Sequence, residues 1–208
     1  MFITFEGIDS SGKSTQLQKL AEYLISHNKR VLILREPGGT PVAEAIRSIL
    51  LNKQFSINAE EELLLFTAAR ANLVKNVISP EVKKGNIVLC DRFYDSTTAY
   101  QSFGRGLNRE FVNKINNFAT QNLKPDFTFV IDIPVDEMIK RSQTSKKIND
   151  RMEENKIDFF EKVRNGYLIL SQEEPERIKI IDGVLPIEQV HDAVLKFVLQ
   201  KNKLKLFF

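Results

Sequence analysis

Short apolar runs alternate with longer amphipathic segments along most of the chain. Five runs rich in β-branched and aromatic residues predict strands at Phe2–Phe5, Val31–Leu34, Ile87–Cys90, Phe127–Ile133 and Ile178–Ile181. These runs are almost continuously apolar, which is typical of parallel strands covered on both faces. Helical periodicity in the intervals predicts helices at Lys13–Ser26, Pro41–Leu51, Ala59–Ile78, Ser96–Phe103, Arg109–Asn122, Val135–Arg141, Phe159–Gln172 and Ile187–Lys201. The alternation predicts an α/β fold, a five-stranded parallel sheet with helices on both faces.

Local signals mark some of the predicted boundaries. Thr40 followed by Pro41 is typical of a helix N-cap with proline in the first turn, and Asn58 with Glu61 matches a capping box. The polar segment 142–156 has no periodicity and is predicted to be a mobile lid. Residues 1–208 are otherwise expected to form a single domain, since neither a repeat nor a low-complexity linker interrupts the pattern.

Composition narrows the class of protein. Hydrophobic residues make up 42% of the chain and charged residues 27%, which is ordinary for a globular protein, and the formal charge of +3 is too small to indicate nucleic-acid binding. One cysteine, Cys90, excludes an internal disulfide and fits a reducing compartment. No apolar stretch approaches the roughly 20 residues of a membrane helix. We therefore expect a cytoplasmic enzyme that does not associate with membranes.

The first predicted strand leads directly into a phosphate-loop pattern, G-x-x-x-x-G-K-[ST]. It is formed by Gly7, Ile8, Asp9, Ser10, Ser11, Gly12, Lys13 and Ser14, and Thr15 follows it. The glycines allow backbone N–H groups to converge on a triphosphate, with the positive end of the next helix behind them. Lys13 is expected to reach the β- and γ-phosphates, and the Ser14 hydroxyl to bind Mg²⁺. The pattern predicts a nucleoside triphosphate site.

Other candidates lie where strands end, because ligands of an open parallel sheet bind beyond the carboxyl ends of the strands. Asp91 ends the third predicted strand and is favoured as the second ligand of Mg²⁺, with Asp132 as an alternative. Arg92 could grip a phosphate through a bidentate contact or form a surface ion pair. Both interpretations stay open from sequence alone.

Phe66 and Arg70 lie four residues apart, so they share one face of a predicted helix. An aromatic plane beside a cation with several N–H donors suits a nucleobase. A leucine-rich helix could equally bury Phe66 in its core.

Three ordered motifs identify a family. They are Phe5–Thr15, Arg35-Glu36-Pro37-Gly38-Gly39-Thr40 and the segment Asp91–Gln101, and they are joined by Leu65–Arg70 and Asp150–Glu153. Together they resemble the thymidylate kinases of the bacterial branch. The resemblance implies a P-loop NTPase fold and the reaction ATP + dTMP → ADP + dTDP.

The resemblance also implies individual roles. Asp9 would lie near the sugar 3′-hydroxyl, Arg47 and Arg92 would hold the acceptor phosphate, and Glu36 would lie close to the phosphates. Phe66 would stack on thymine and Arg70 would donate to its O4. Thr97 or Thr98 would contact the base edge, Tyr100 would crowd a ribose 2′-hydroxyl, and Arg141 with the segment around Asp182 would lie near adenine.

The family differs internally in where its catalytic arginine lies. Some members carry one in the phosphate loop, at the position that is Ser10 here. The lid would then neutralise the transferring group, and it offers Lys146, Lys147 and Arg151, of which we favour Arg151 with Glu153 orienting it. Lysine cannot replace the planar bidentate contact of arginine.

Dianionic dTMP needs no general base, so positioning and electrostatics would carry the reaction. The resemblance implies a homodimer as well. Alternative functions are another nucleoside monophosphate kinase, or a deoxynucleoside kinase with Glu36 or Asp91 as base. A nucleotide switch would fit Asn155-Lys156-Ile157-Asp158, although that tetrapeptide does not follow an apolar strand as the N-K-x-D motif does.

Overall fold

A computed structural model describes residues 1–144 and 156–200 of the chain. Five strands form one parallel sheet in the order β2-β3-β1-β4-β5. Their bounds are β1 Phe2–Glu6, β2 Val31–Arg35, β3 Ile87–Asp91, β4 Phe127–Asp132 and β5 Ile178–Asp182. The predicted five-stranded parallel sheet is confirmed, and the strand that leads into the phosphate loop lies at its centre.

Each strand ends on a charged residue. Four of these residues continue their strand by one position beyond the predicted apolar run: Glu6, Arg35, Asp91 and Asp182. The fourth strand was predicted to end at Ile133 and instead ends one residue earlier, at Asp132. Asp132 pairs with Asp182 in register, and Arg35 pairs with Asp91. These side chains therefore lie at the carboxyl edge of the sheet, where the loops that carry the candidate residues begin.

Helices cover both faces of the sheet, as predicted. They are α1 Lys13–Ser26, α2 Pro41–Leu51, α3 Ala59–Leu73, α4 Ser79–Lys83, α5 Tyr94–Thr97, α6 Arg109–Thr120, α7 Val135–Thr144, α8 Ile157–Glu173 and α9 Ile187–Gln200. One face of the sheet packs Ile3, Phe5, Leu89 and Phe129 against α1 and α9. The opposite face packs Val88 and Cys90 against the end of α3, and Val130 against α8. Strand alternation assigns these residues to opposite faces.

Two predicted helices differ from the structure because π-helical turns interrupt them. The segment 59–78 is α3 followed by a π-turn at Val74–Ile78, and the helix then continues through Pro80 in α4. The segment predicted as Ser96–Phe103 is α5 followed by a π-turn at Thr98–Gly104. Single π-turns often occur at functional sites, and the second of these carries Tyr100.

The predicted helix starts at Thr40 and Asn58 are confirmed. Thr40 Oγ1 accepts from the N–H of Ala43 at 3.1 Å, and Asn58 and Glu61 exchange both capping-box hydrogen bonds. Residues 142–144 of the predicted lid form the last turn of α7, and residues 145–155 lie outside the described residues. Within the described ranges, no helix combines the length and the apolar character needed to cross a membrane.

Candidate active site

The phosphate loop connects β1 to α1 through three residues with positive φ: Gly7 at 135°, Ser10 at 57° and Gly12 at 95°. A Cβ at Gly7 would lie 2.5 Å from the carbonyl oxygen of Ile131, so the loop passes directly against β4. Helix α1 begins at Lys13, immediately after the turn. The loop therefore places the positive end of α1 at the centre of the carboxyl edge, which is where an anion would bind.

Lys13 is buried beside this loop, and its ammonium group lies 3.4 Å from the carbonyl oxygen of Ile8. Burial lowers the pKa of this ammonium, and the charge of Arg92 lowers it further, whereas the nearby carboxylates of Asp91 and Asp9 raise it. A phosphate chain would act in the same direction as the carboxylates.

Ser14 and Asp91 lie side by side, and the Ser14 hydroxyl donates to Asp91 Oδ2. This pair offers two oxygen ligands next to the phosphate loop, which fits Mg²⁺ because that ion takes one or two protein oxygens and completes its shell with phosphate and water oxygens. The alternative ligand Asp132 is engaged by Arg164, which donates to both its carboxylate oxygens at 2.8 and 2.9 Å. The geometry therefore favours Asp91 over Asp132.

Arg92 follows β3 with a φ of 70°, a backbone region that non-glycine residues seldom adopt. Its guanidinium donates to Asp9 at 2.6 Å and to the Tyr100 hydroxyl at 3.1 Å, and its Cζ lies 5.0 Å from the centre of the Tyr100 ring. The same group donates to the Gly7 carbonyl at 2.9 Å. Arg92 is thus held against the phosphate loop rather than in a surface ion pair.

A cavity of about 360 Å³ opens in front of these residues. Its lining includes Lys13, Asp91 and Arg92, which lie beside the phosphate loop, and Phe66, Arg70 and Thr97, which belong to α3 and α5. Its remaining lining residues are Asp9, Ser14, Arg35, Glu36, Pro37, Arg47, Leu51, Ser96, Tyr100 and Gln101. A pocket lined by cationic side chains and an aromatic ring can accept a molecule that has a phosphate and a flat ring.

Arg70 lies at the centre of a group of hydrogen-bonded side chains in the cavity lining, and it is almost fully buried. Its Nε and Nη2 lie 2.7 Å from Glu36 Oε2, and Nη1 donates to Thr97 Oγ1 at 2.8 Å and to Asn116 Oδ1 at 3.2 Å. Burial raises the pKa of Glu36, and the charge and hydrogen bonds of Arg70 oppose that rise. Glu36 therefore holds Arg70, rather than standing free beside the phosphates.

Phe66 is half-buried and lines the cavity, so its ring is available to a bound base as well as packing on the core. Thr97 also lines the cavity, whereas Thr98 turns its hydroxyl towards Tyr94 and Asn116. Of the two threonines predicted to contact the base edge, Thr97 lines the cavity and Thr98 is not among the described residues that do.

Arg47 and Arg35 also line the cavity, and each donates to the carbonyl of Pro37 at 3.0 Å. Arg141 lies outside the cavity and donates to the carbonyls of Ser11 and Gly183 at 3.3 and 3.0 Å. It thus joins the phosphate loop to the connection between β5 and α9. Asp182, at the start of that connection, accepts from the N–H of Val184.

Four residues of the predicted lid, Lys146, Lys147, Arg151 and Glu153, lie outside the described residues. Sequence reasoning also assigned no role to Ser96 and Gln101, both of which line the cavity. Their place after β3 is a usable signal, because residues that follow a parallel strand reach the ligand edge. Tyr167 gave no such signal, since it belongs to the apolar face of α8.

Comparison with known proteins agrees with this geometry. The family model described as thymidylate kinase matches residues 5–194. The chain is 47% identical to a thymidylate kinase of Kosmotoga olearia, with 98% of each chain covered, and 50% identical to one of Thermosipho africanus, with 97% and 98% covered. The crystal structure of thymidylate kinase from Ehrlichia chaffeensis is similar, with a TM-score of 0.78 at 36% identity, over 96% of this chain and 98% of that one.

Proposed function

The chain belongs to the thymidylate kinase family, and on that basis we propose how its residues divide the work of binding and transfer. Like the family, it is a phosphotransferase that moves the γ-phosphoryl group of ATP to dTMP, giving dTDP and ADP for dTTP synthesis. The observation that carries the proposal is that one cavity is lined both by Lys13 and Arg92, beside the phosphate loop, and by Phe66 and Arg70.

The phosphate loop binds the ATP triphosphate through its backbone N–H groups and Lys13. The acceptor phosphate of dTMP is held by Arg92 and Arg47, which both line the cavity. Because the acceptor is already an anion, no residue has to remove a proton from it. These residues contribute by bringing two anions into line and neutralising their charge, which the reaction requires above all.

Ser14 and Asp91 would hold Mg²⁺, and the bound ion would neutralise charge on the donor phosphates. This assignment rests on their contact beside the phosphate loop and on their oxygen donors.

Phe66 stacks on thymine and Arg70 donates to its O4. The three acceptors around Arg70 fix the direction of its remaining N–H group before the substrate arrives. Thr97 reaches the base edge, with its hydroxyl oriented by Arg70. Gln101 is a further candidate for the base edge, because it lines the cavity and its side-chain amide donates to Glu62 Oε1 at 2.8 Å.

Asp9 and Tyr100 contact the sugar. Asp9 approaches the 3′-hydroxyl, and the Tyr100 ring fills the space that a ribose 2′-hydroxyl would need. Burial raises the pKa of the Tyr100 phenol, so this group stays a neutral hydroxyl near neutral pH.

Arg141 and the residues around Asp182 lie near adenine. Arg151 covers the transferring group, with Lys146 and Lys147 as auxiliary cations and Glu153 orienting the arginine.

An ADP-release assay with ATP and Mg²⁺ tests the proposal across the nucleoside monophosphates and thymidine. We expect dTMP to be the best acceptor and thymidine to be inert. A preference for thymidine would indicate a deoxynucleoside kinase, and a preference for another monophosphate would contradict the base assignment.

Arg151→Ala should lower kcat more than it raises the KM of either substrate. If only a KM changes, Arg151 does not contact the transferring phosphoryl group.

A homodimer is also proposed, with α2, α3 and α6 as its surface. These neighbouring helices expose large apolar side chains at Val42, Ile49, Leu64, Phe111 and Phe118, and Phe118 is 83% exposed. A second copy of the chain would cover them, because an isologous interface pairs the same patch on both partners. Sedimentation should give a dimer that Phe118→Asp weakens. Ile25→Asp, on α1, is the matched control and should stay dimeric.

A further inference from the structure

Arg92 contacts two hydroxyl groups in addition to Asp9 and Tyr100. Its Nη1 lies 3.1 Å from Ser96 Oγ and 3.4 Å from the Tyr167 hydroxyl. Ser96 belongs to α5, directly after β3, but Tyr167 lies on α8, 75 residues further along the chain. One guanidinium N–H group thus reaches a helix on a different part of the fold.

The two hydroxyls are themselves anchored. They lie 2.8 Å apart, and both donate to Oε2 of Glu6, the last residue of β1, from 3.1 Å in the case of Tyr167. The other oxygen of Glu6 accepts from the N–H of Phe93 at 2.7 Å, which ties the end of β1 to the turn that carries Arg92. A hydroxyl oxygen can accept a hydrogen bond while its own proton is donated elsewhere, so both hydroxyls can accept from Arg92 while they remain bonded to Glu6 and to each other.

The contacts of Ser96 and Tyr167 with Arg92 help to fix a residue whose backbone conformation is unfavourable. Arg92 has a φ of 70°, and its own N–H donates to the carbonyl of Phe5, so its backbone lies in a sparsely populated region next to the phosphate loop. Such conformations persist when the surrounding structure fixes them. The hydroxyls of Ser96 and Tyr167 contact Nη1 of the guanidinium, whereas Asp9 accepts from Nη2.

Tyr167 has no direct access to substrate. It is 2% exposed, and it is not among the described residues that line the cavity. Its hydroxyl can therefore affect a ligand through Arg92 but not by touching the ligand.

We infer that Tyr167 is a positioning residue of the acceptor site, which acts with Ser96 and Glu6 to set the Arg92 guanidinium for the phosphate of dTMP. This inference rests on the proposed role of Arg92. It assigns to α8 a part in substrate binding that neither the phosphate-loop motif nor the strand-end rule indicates.

Tyr167→Phe removes the hydroxyl and keeps the buried ring. The KM for dTMP should rise about threefold to tenfold, as expected for one hydrogen bond to a charged group, while the KM for ATP and the melting temperature change little. Tyr94→Phe is the matched control, because the Tyr94 hydroxyl is buried and makes no hydrogen bond with the described residues. It should leave both KM values at wild-type levels.

The decisive comparison places Tyr167→Phe in an Arg92→Lys background. If Tyr167 acts through Arg92, the second change should add almost nothing to the KM for dTMP. An equal increase in both backgrounds would overturn the inference, as would a lower melting temperature with an unchanged KM. If Arg92→Lys itself leaves the KM for dTMP unchanged, the proposed role of Arg92 is wrong, and the inference falls with it.

Discussion

Replacing Arg70 by Met should expose how strongly the base end of the cavity depends on one buried ion pair. The side chains of Arg70 and Glu36 are 1% and 3% exposed, and methionine fills much of the same volume without charge. Both hydrogen bonds to Glu36 Oε2 come from Arg70, and Oε1 accepts none from the described residues. The substitution therefore leaves a buried carboxyl group with none of these partners.

Breaking a buried pair on one side typically costs about 3–5 kcal/mol of unfolding free energy. We expect a loss of this size at about pH 8, where ionised Glu36 is least tolerated. Burial already raises the pKa of Glu36, and Arg70 opposes that rise, so its removal raises the folded-state pKa further. Between the unfolded and folded pKa values, the folded state holds a proton that the unfolded state lacks. Stability is then fully present at low pH and falls by up to about 1.4 kcal/mol per pH unit as pH rises.

The free energy of unfolding is measured by urea titration followed by far-ultraviolet circular dichroism, since the chain has no tryptophan for fluorescence. Arg70→Met should lose more stability at about pH 8 than at about pH 6, and Glu36→Gln added to it should recover a part of the loss and flatten the pH dependence. Lys84→Met is the control, because Lys84 forms an exposed pair with Glu81 and should cost at most about 1 kcal/mol.

Two results would refute the reasoning. One is a stability loss for Arg70→Met no larger than that of Lys84→Met. The other is a loss that is the same at both pH values and unaffected by Glu36→Gln, since the damage would then come from packing rather than from an unpaired carboxyl group. Isothermal titration calorimetry measures ligand binding by Arg70→Met, which should bind dTMP more weakly and ATP as well as the wild type does.

The remaining predictions concern the two ligands. Lys13→Ala should lower kcat by several orders of magnitude with an unchanged circular dichroism spectrum, and near-normal turnover would contradict the donor site. Asp91→Asn should raise the Mg²⁺ concentration needed for half-maximal rate, and an unchanged requirement would leave Asp132 as the ligand to examine. Tyr100→Ala should improve kcat/KM for the ribose-bearing monophosphate relative to dTMP, and a constant ratio would remove the steric argument.

The sheet was predictable because hydrophobicity alone marks buried parallel strands. Their last residues were not, because a charged side chain such as Asp91 or Asp182 keeps its backbone hydrogen bonds while reaching the ligand edge. Pattern reasoning also missed the π-turns, which add one residue to a helical turn and leave the apolar periodicity almost unchanged. The interruption at Val74 therefore has no clear sequence signature.

For the site, position after a strand identified Asp91 and Arg92, and the phosphate-loop pattern identified Lys13 and Ser14. The contacts among these residues could not be predicted from the sequence, since they depend on side chains from elements that are distant along the chain. Arg70 forms its ion pair with Glu36, which lies 34 positions earlier in the chain, and the sequence around neither residue predicts this contact. The sequence pattern predicts Tyr167 to be a buried core residue of α8. That prediction fits its ring, and only its hydroxyl joins the hydrogen bonds of Glu6, Ser96 and Arg92.

The close passage of Gly7 against Ile131 limits how the phosphate loop can be separated from the rest of the fold. A methyl group at position 7 would press on the β4 backbone and would also require a φ of 135°, so even alanine would have to shift either the loop or the strand. Loss of activity in Gly7→Ala would then coincide with loss of folded protein, and an activity screen alone would record it as a nucleotide-binding defect. The same contact argues against grafting the loop into another sheet without its neighbouring strand, because the turn is shaped by β4 as much as by its own glycines.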